Sequence, residues 1–185
     1  ETKEDRSPHH LTLLAKDGEG YKNLIKLVSL ASIEGFYSRP RIDRELIQKY
    51  HKGLIAMTGC AGGEIPSLLM EGKEDKAREA ANWYRDLFGG DFYLEMMDLG
   101  LPELKELRPR LKELSKQTGI PLVVTNDVHC VRKEDAYCQD VLLCIQTNSF
   151  LDQENRMKFK SDEFYLKSAP EMAELFSDMP DALLR

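Results

Sequence analysis

Cysteine is scarce and unpatterned in this chain. Its four thiols, Cys60, Cys130, Cys138 and Cys144, show no Cys-x-x-Cys spacing and no secretory context, so reduced thiols in a cytoplasmic protein are expected. Positive charge is also in deficit: 26 Lys and Arg face 32 Asp and Glu, a formal charge of -6. That excludes a domain holding nucleic acid by bulk electrostatics and leaves only local basic patches open. No apolar run is long enough to span a bilayer, and no signal peptide is present. P-loop, Gly-x-Ser-x-Gly and HExxH motifs are missing, as are internal repeats beyond an alternation of strands and helices. Residues 1–8 are charged and open on no recognisable start, so the chain reads as an excised piece of something longer.

What is present is an ordinary globular composition, 42% hydrophobic and 31% charged over 185 residues. A chain of this length suits one domain that buries roughly 70% of its unfolded surface and needs neither disulfide nor metal to fold. The apolar run Leu122, Val123, Val124 follows a Gly-Ile-Pro turn and reads as a strand buried on both faces of a parallel sheet. Three other runs read as strands, namely 10–15, 54–58 and 92–96. Between them Tyr21, Leu24, Ile25, Val28 and Ala31 predict the apolar stripe of one helix. Ala77, Ala80, Ala81, Tyr84, Leu87 and Phe88 predict another, and Leu101, Leu104, Leu107, Leu111 and Leu114 a third that Pro109 should kink or split. Asp43 is placed to cap a short helix over 44–50, and Gly59 to Glu64 opens another near 65–70. Residues 133–146 predict a helix with Ala136, Leu143 and Ile145 among its apolar positions, and Ser168 with Pro170 starts a short one. Strands alternating with helices predict an α/β fold, a parallel sheet with right-handed crossovers. Four such strands make about half of a closed β/α barrel or most of an open doubly wound sheet.

Chemistry-bearing residues gather where these strands end. Asp127 and His129 lie just past residues 122–124, where the loops of α/β folds carry functional groups. An oxygen and an imidazole ligand so close suit a divalent metal such as zinc or manganese, whereas the bland reading is an ordinary loop; both stand. Cys60 sits at the end of the 54–58 run, inside a glycine-rich turn. There Gly62 and Gly63 would let backbone approach a ligand or phosphate. A tight turn with a buried, inert thiol is the competing reading. His10 falls at the start of its strand, the wrong end if that strand is parallel to the rest. Glu95 ends Phe-Tyr-Leu-Glu and is expected to face solvent. Cys138 and Cys144 are expected to pack within their helix, while the Arg39/Arg41, Arg108/Arg110, Arg132/Lys133 and Arg156/Lys158/Lys160 groups are read as ordinary surface that could meet phosphates.

Several longer runs are more specific. His10-Leu-Thr-Leu-Leu-Ala-Lys-Asp, Gly20-Tyr21-Lys22-Asn23-Leu24, Glu34-Gly35-Phe36-Tyr37 and Pro40-Arg41-Ile42-Asp43 occur in that order. They are followed by Thr58-Gly59-Cys60, Gly63-Glu64-Ile65, Phe92-Tyr93-Leu94-Glu95, Thr125-Asn126-Asp127-Val128-His129 and Asp140-Val141-Leu142-Leu143-Cys144-Ile145-Gln146-Thr147. Over essentially the whole chain this resembles the amino-terminal PHP (polymerase and histidinol phosphatase) domain of the bacterial replicative DNA polymerase III α subunit.

The resemblance implies part of a distorted, TIM-like β/α barrel whose strand ends hold up to three divalent metals (Zn, Mn or Mg). It places ligands at His10, Cys60, Asp127 and His129, and beside them the glycine turn at Gly62 and Gly63 could orient backbone donors towards a substrate. The implied activities are phosphoester hydrolysis, including 3′-5′ removal of nucleotides, within a DNA-directed DNA polymerase. The implied partners are a DNA primer-template, a separate proofreading exonuclease, a sliding clamp and other replicase subunits, in the cytoplasm and with no membrane. A non-catalytic docking module and a stand-alone phosphatase of the superfamily are the other readings. The chain departs from the pattern in lacking the upstream His-x-His strands, so that residues 1–185 match the carboxyl-terminal two thirds of the domain. It also carries Leu99 where relatives often have His, and the polymerase palm is absent.

Overall fold

Residues 8–185 are described by a computed structural model; residues 1–7, most of the charged lead-in noted above, lie outside it. Four strands, β1 (Thr12–Ala15), β2 (Leu54–Met57), β3 (Phe92–Met96) and β4 (Leu122–Val124), form one sheet in the order β1-β2-β3-β4. The pairs β2–β3 and β3–β4 are parallel, as the alternating pattern predicts. β1 is antiparallel to β2, with Thr12 opposite Met57 and Ala15 opposite Leu54, which corrects the expectation of a wholly parallel sheet.

The reason lies in the connection. Two helices, α1 (Gly18–Ile33) and α2 (Arg44–Tyr50), separate β1 from β2 where one is usual. Paired helices carry the chain out and back, so β2 begins where β1 ends, and the Lys16 amide donates to the Gly53 carbonyl at 2.8 Å. The amino end of β1 therefore lies beside the carboxyl end of β2.

The rotation of α1 is set by a close approach rather than by its apolar stripe. A Cβ on Gly20 would lie 1.7 Å from the Gly53 carbonyl oxygen, so only glycine fits there. With Gly20 inward, Leu27 and Ala31 are buried about two and three turns on, while Tyr21, Ile25 and Val28 face outward. The five-residue stripe expected from sequence is thus only partly the core face. Apolar residues surround α1, and periodicity could not say which side packs.

Behind the sheet, α3 (Glu64–Met70), α4 (Glu74–Phe88) and α5 (Pro102–Thr118) build the main core. Ala77, Ala80, Ala81, Tyr84 and Phe88 of α4 recur at helical spacing, and small alanines let the helix approach Phe92 and Leu94 of β3. The Tyr84 and Phe92 rings stack 5.2 Å apart. In α5 the leucine series is buried from Leu104 to Leu114, and Pro109 neither stops nor divides the helix. Pro109 and Lys105, whose carbonyl loses its usual partner, are both exposed, where water can replace the missing hydrogen bond.

Beyond β4 the chain turns through a 3-10 segment, Lys133–Asp135, into α6 (Ala136–Thr147), and later forms α7 (Ala169–Leu175) and α8 (Pro180–Leu183). α6 buries Leu143 and Cys144 but leaves Ile145 and Cys138 exposed, so both depart from the packing expected of them. β4 is only half-buried, unlike the doubly covered strand expected, because it is the last regular strand of the sheet. Among the described residues β1 and β4 are not paired, and the sheet is open. No described helix is long and apolar enough to cross a membrane.

Candidate functional site

The antiparallel β1 brings His10 to the strand end that carries Cys60. Its Nδ1 lies 3.3 Å from the Cys60 Sγ, its amide donates to the Gly62 carbonyl at 3.1 Å, and it bridges Gly63 as a short parallel extension. The wrong-end objection to His10 is removed by strand direction.

The turn after Cys60 is closed on itself. The Gly63 N–H donates to the Cys60 carbonyl at 2.8 Å, and a Cβ on Gly63 would lie 2.0 Å from the Thr58 carbonyl oxygen. The Gly63 amide thus shapes the turn and is not directed at a ligand. Gly62 is exposed beside the His10 ring, with its Cβ position 3.4 Å from His10 Nδ1 and 3.8 Å from Cys60 Sγ.

Asp127 and His129 occupy the loop after β4. Asp127 takes a left-handed backbone conformation at φ 43°, a strained state that only a few residue types, Asp among them, accept readily. The His129 Nδ1 sits 2.6 Å from the Asp127 carbonyl, its amide donates to the Phe164 carbonyl, and its ring lies 4.7 Å from Phe159.

The loop is held by a returning strap, residues 161–168. Cys130 bridges Tyr165, and the buried Asn126 donates from Nδ2 to the Glu163 and Tyr165 carbonyls at 3.0 and 2.7 Å. The Lys167 side chain is 2% exposed and sits among the Asn126 Oδ1, the Glu163 carbonyl and the Glu163 carboxylate, over the Tyr165 ring. Hydrogen bonding from Lys133, supported by Lys167, holds the Glu163 carboxyl below its ordinary range. Glu171 caps α7 through Ser168 and accepts from the Tyr165 hydroxyl, which depresses its carboxyl to about 2.

Glu95 reverses its expectation. It is buried, and its Oε2 accepts from the Gly59 N–H at 2.9 Å and the Thr12 hydroxyl at 3.3 Å, while Oε1 accepts from the Thr125 hydroxyl at 2.6 Å. Its own N–H donates to the Thr58 Oγ1 at 2.8 Å. A strand covered on both faces leaves an acidic residue no route to water, and the flanking Leu94, Met96 and Met97 were the signal of that. Asn126 was missed because its partners are 37 to 41 residues away, beyond any local pattern, and Lys167 because a lysine is ordinarily solvated and its Glu163 partner four residues away does not by itself signal burial.

The basic groups are largely occupied. Arg108 pairs with Asp98 and Asp178, Arg110 with Glu106 and Glu74, and Arg156 makes a two-pronged bond to Asp140 at 2.5 and 2.6 Å. The last lowers the Asp140 carboxyl and ties the tail to α6. Burial pushes the Cys130 thiol up, away from the reactive thiolate form.

An imidazole nitrogen and a thiol this close suit a borderline divalent ion in donor type. Donor number is another matter: among the described residues no three His, Cys, Asp or Glu side chains are grouped so as to hold a metal ion. His10 with Cys60 is one cluster, and Asp127 with His129 is a second.

Comparison with known proteins adds an independent finding. A family model described as PHP domain matches residues 1–99, a little over half of the chain. The DNA polymerase III subunit alpha of Deinococcus radiodurans is 53% identical over 163 residues, which cover 88% of this chain and 12% of that protein. The proteins of the same name from Treponema pallidum and Borreliella burgdorferi are 48% and 46% identical over 192 and 175 residues. Those alignments cover 100% and 95% of this chain, and 16% and 15% of the relatives. The chain spans less than one sixth of the length of these relatives.

Proposed function

The chain belongs to the PHP domain family, and on that premise we propose that residues 1–185 are the carboxyl-terminal two thirds of such a domain in a longer DNA polymerase III subunit alpha. In this reading the open sheet is part of a distorted β/α barrel. The parent is a cytoplasmic DNA-directed DNA polymerase acting on a primer-template beside a proofreading exonuclease, a sliding clamp and other replicase subunits. Polymerisation takes place in parts of the protein outside this chain.

The domain itself would be a divalent-metal phosphoesterase. The observation that carries this is the delivery of His10 to Cys60 at the carboxyl end of β2 by an antiparallel β1. His10, Cys60, Asp127 and His129 would hold the ions (Zn, Mn or Mg, up to three in the complete domain), joined by ligands from outside residues 8–185. Bound divalent ions supply Lewis acidity for phosphoester hydrolysis, here 3′-5′ removal of nucleotides. Around them, Gly62 leaves room at the His10 ring for a substrate, the Gly63 turn fixes Cys60, and the strap fixes Asp127 and His129.

One observation favours a second reading. Tyr21, Ile25 and Val28 are 60%, 49% and 60% exposed on one side of α1, as in a structural module that docks another protein, with its metal site vestigial. Release of nucleotides from a primer 3′ end by the full-length protein separates the two. The phosphoesterase reading expects metal-dependent release that is lost in His129→Ala while primer extension persists. Equal release by wild type and His129→Ala, or none by either, supports the docking module. Residues 1–185 alone are expected to show little or no turnover, and robust turnover would contradict the need for further ligands.

A further inference from the structure

Resting on the metal-site reading above, we infer that Glu95 is the positioning residue that sets the two ligand clusters relative to one another. The Glu95 carboxylate touches three separate segments, and each carries candidate ligands one or two residues away. Gly59, whose N–H it accepts, precedes Cys60. Thr12, whose hydroxyl it accepts, follows His10 by two residues, and Thr125 precedes Asp127 by two. The Glu95 N–H on Thr58 Oγ1 adds a second tie to the end of β2. One side chain at the end of the central strand β3 therefore spans from β1 to the loop after β4.

Its burial makes the arrangement informative. A carboxylate removed from water is strongly disfavoured unless its lone pairs are satisfied, and Glu95 is 6% exposed with three neutral donors and, among the described residues, no ion pair. An apolar residue would pack in its place but would leave the Gly59 N–H and two threonine hydroxyls without acceptors. What distinguishes the carboxylate is its capacity to accept several bonds in different directions at once. Hydrogen-bond partners of metal ligands act in this way, orienting the donors without touching the ion.

The test uses the full-length protein that contains this chain, with hydrogen exchange and Co2+ titration read together. In Glu95→Gln, peptides spanning 9–12, 58–63 and 125–129 should exchange roughly tenfold faster, while peptides from α4 stay at the wild-type rate. The Co2+–thiolate absorption of Cys60 should shift, with affinity weakened by about tenfold or more. Thr125→Val removes one of the bonds and should loosen 125–129 alone. Wild-type exchange in all three segments of a folded Glu95→Gln protein overturns the assignment. If that protein does not fold, unchanged exchange in both Thr125→Val and Thr12→Val overturns it equally. Faster exchange in the three segments of a protein whose wild type binds no Co2+ upholds Glu95 as the positioning residue and sinks the metal reading instead.

Discussion

His10 and Cys60 stand on backbone that the sheet already fixes, whereas Asp127 and His129 stand on a loop that side chains must hold. In the first cluster the fixing bonds are main-chain ones, His10 to Gly62 and Gly63 to Cys60, and the tight turn admits no Cβ at Gly63. In the second, Asn126 and a buried Lys167 bind the loop to a strap that returns from beyond α6, and Asp127 is held in a strained conformation. The difference teaches that one functional region can be rigid for two reasons. Apart from the Glu95 carboxylate that ties both, the sheet cluster should fail only when its backbone is distorted, while the loop cluster should fail when single side chains of its strap are removed or lose their charge.

Gly63→Ala should show the largest effect. Its methyl meets the Thr58 carbonyl oxygen at 2.0 Å, and relieving that should cost about 3 kcal/mol in urea unfolding of the chain. A loss under about 1 kcal/mol would mean that the turn yields easily and the sheet cluster is less rigid than described. Lys167→Met comes next, at about 2 kcal/mol, discounted from the usual value for a buried pair because Glu163 is partly exposed. Hydrogen exchange should then rise at 125–130 and not at 58–63; a rise in both would merge the two clusters into one unit. Asn126→Ala should cost about 1.5 kcal/mol for two bonds to carbonyls, with the same local pattern.

Acid offers a milder way to divide the clusters. Glu171 is depressed from its ordinary 4.5 to about 2 by Ser168 and Tyr165, so it contributes stability above 4.5 that is lost as pH falls towards 2. Glu163 is shifted in the same direction. Residues 161–175 should therefore loosen in that window before β1 and β2 do, as amide exchange by NMR would register. Simultaneous loosening would contradict the division. Gly62→Ala should have the smallest effect, under about 0.5 kcal/mol, because the atoms nearest its methyl, on the His10 ring and the Cys60 sulfur, lie at ordinary separation.

The same contrast explains what could be read from sequence. All four strands and the core faces of α4 and α5 follow from local periodicity, since each repeats within a few residues. The direction of β1 does not, because it depends on two helices rather than one crossing between strands, and the pairing of His10 with Cys60 depends on that direction. The phase of α1 was hidden because the helix is apolar on several sides and Gly20 rather than a large side chain marks its inner face. Glu95 and Lys167 escaped for another reason. Charged residues are usually solvated, and what overrides this is a set of partners from distant segments. Asp127, His129 and Cys60 could be singled out because their residue types and strand-end positions mark candidates before any partner is known.

The metal content of the full-length protein that contains this chain is the most direct test of the proposed site. Elemental analysis should find bound zinc or manganese in the wild type, reduced in Cys60→Ala and in His129→Ala alike. A protein free of divalent metal, or one whose content is the same in both variants as in the wild type, would contradict it.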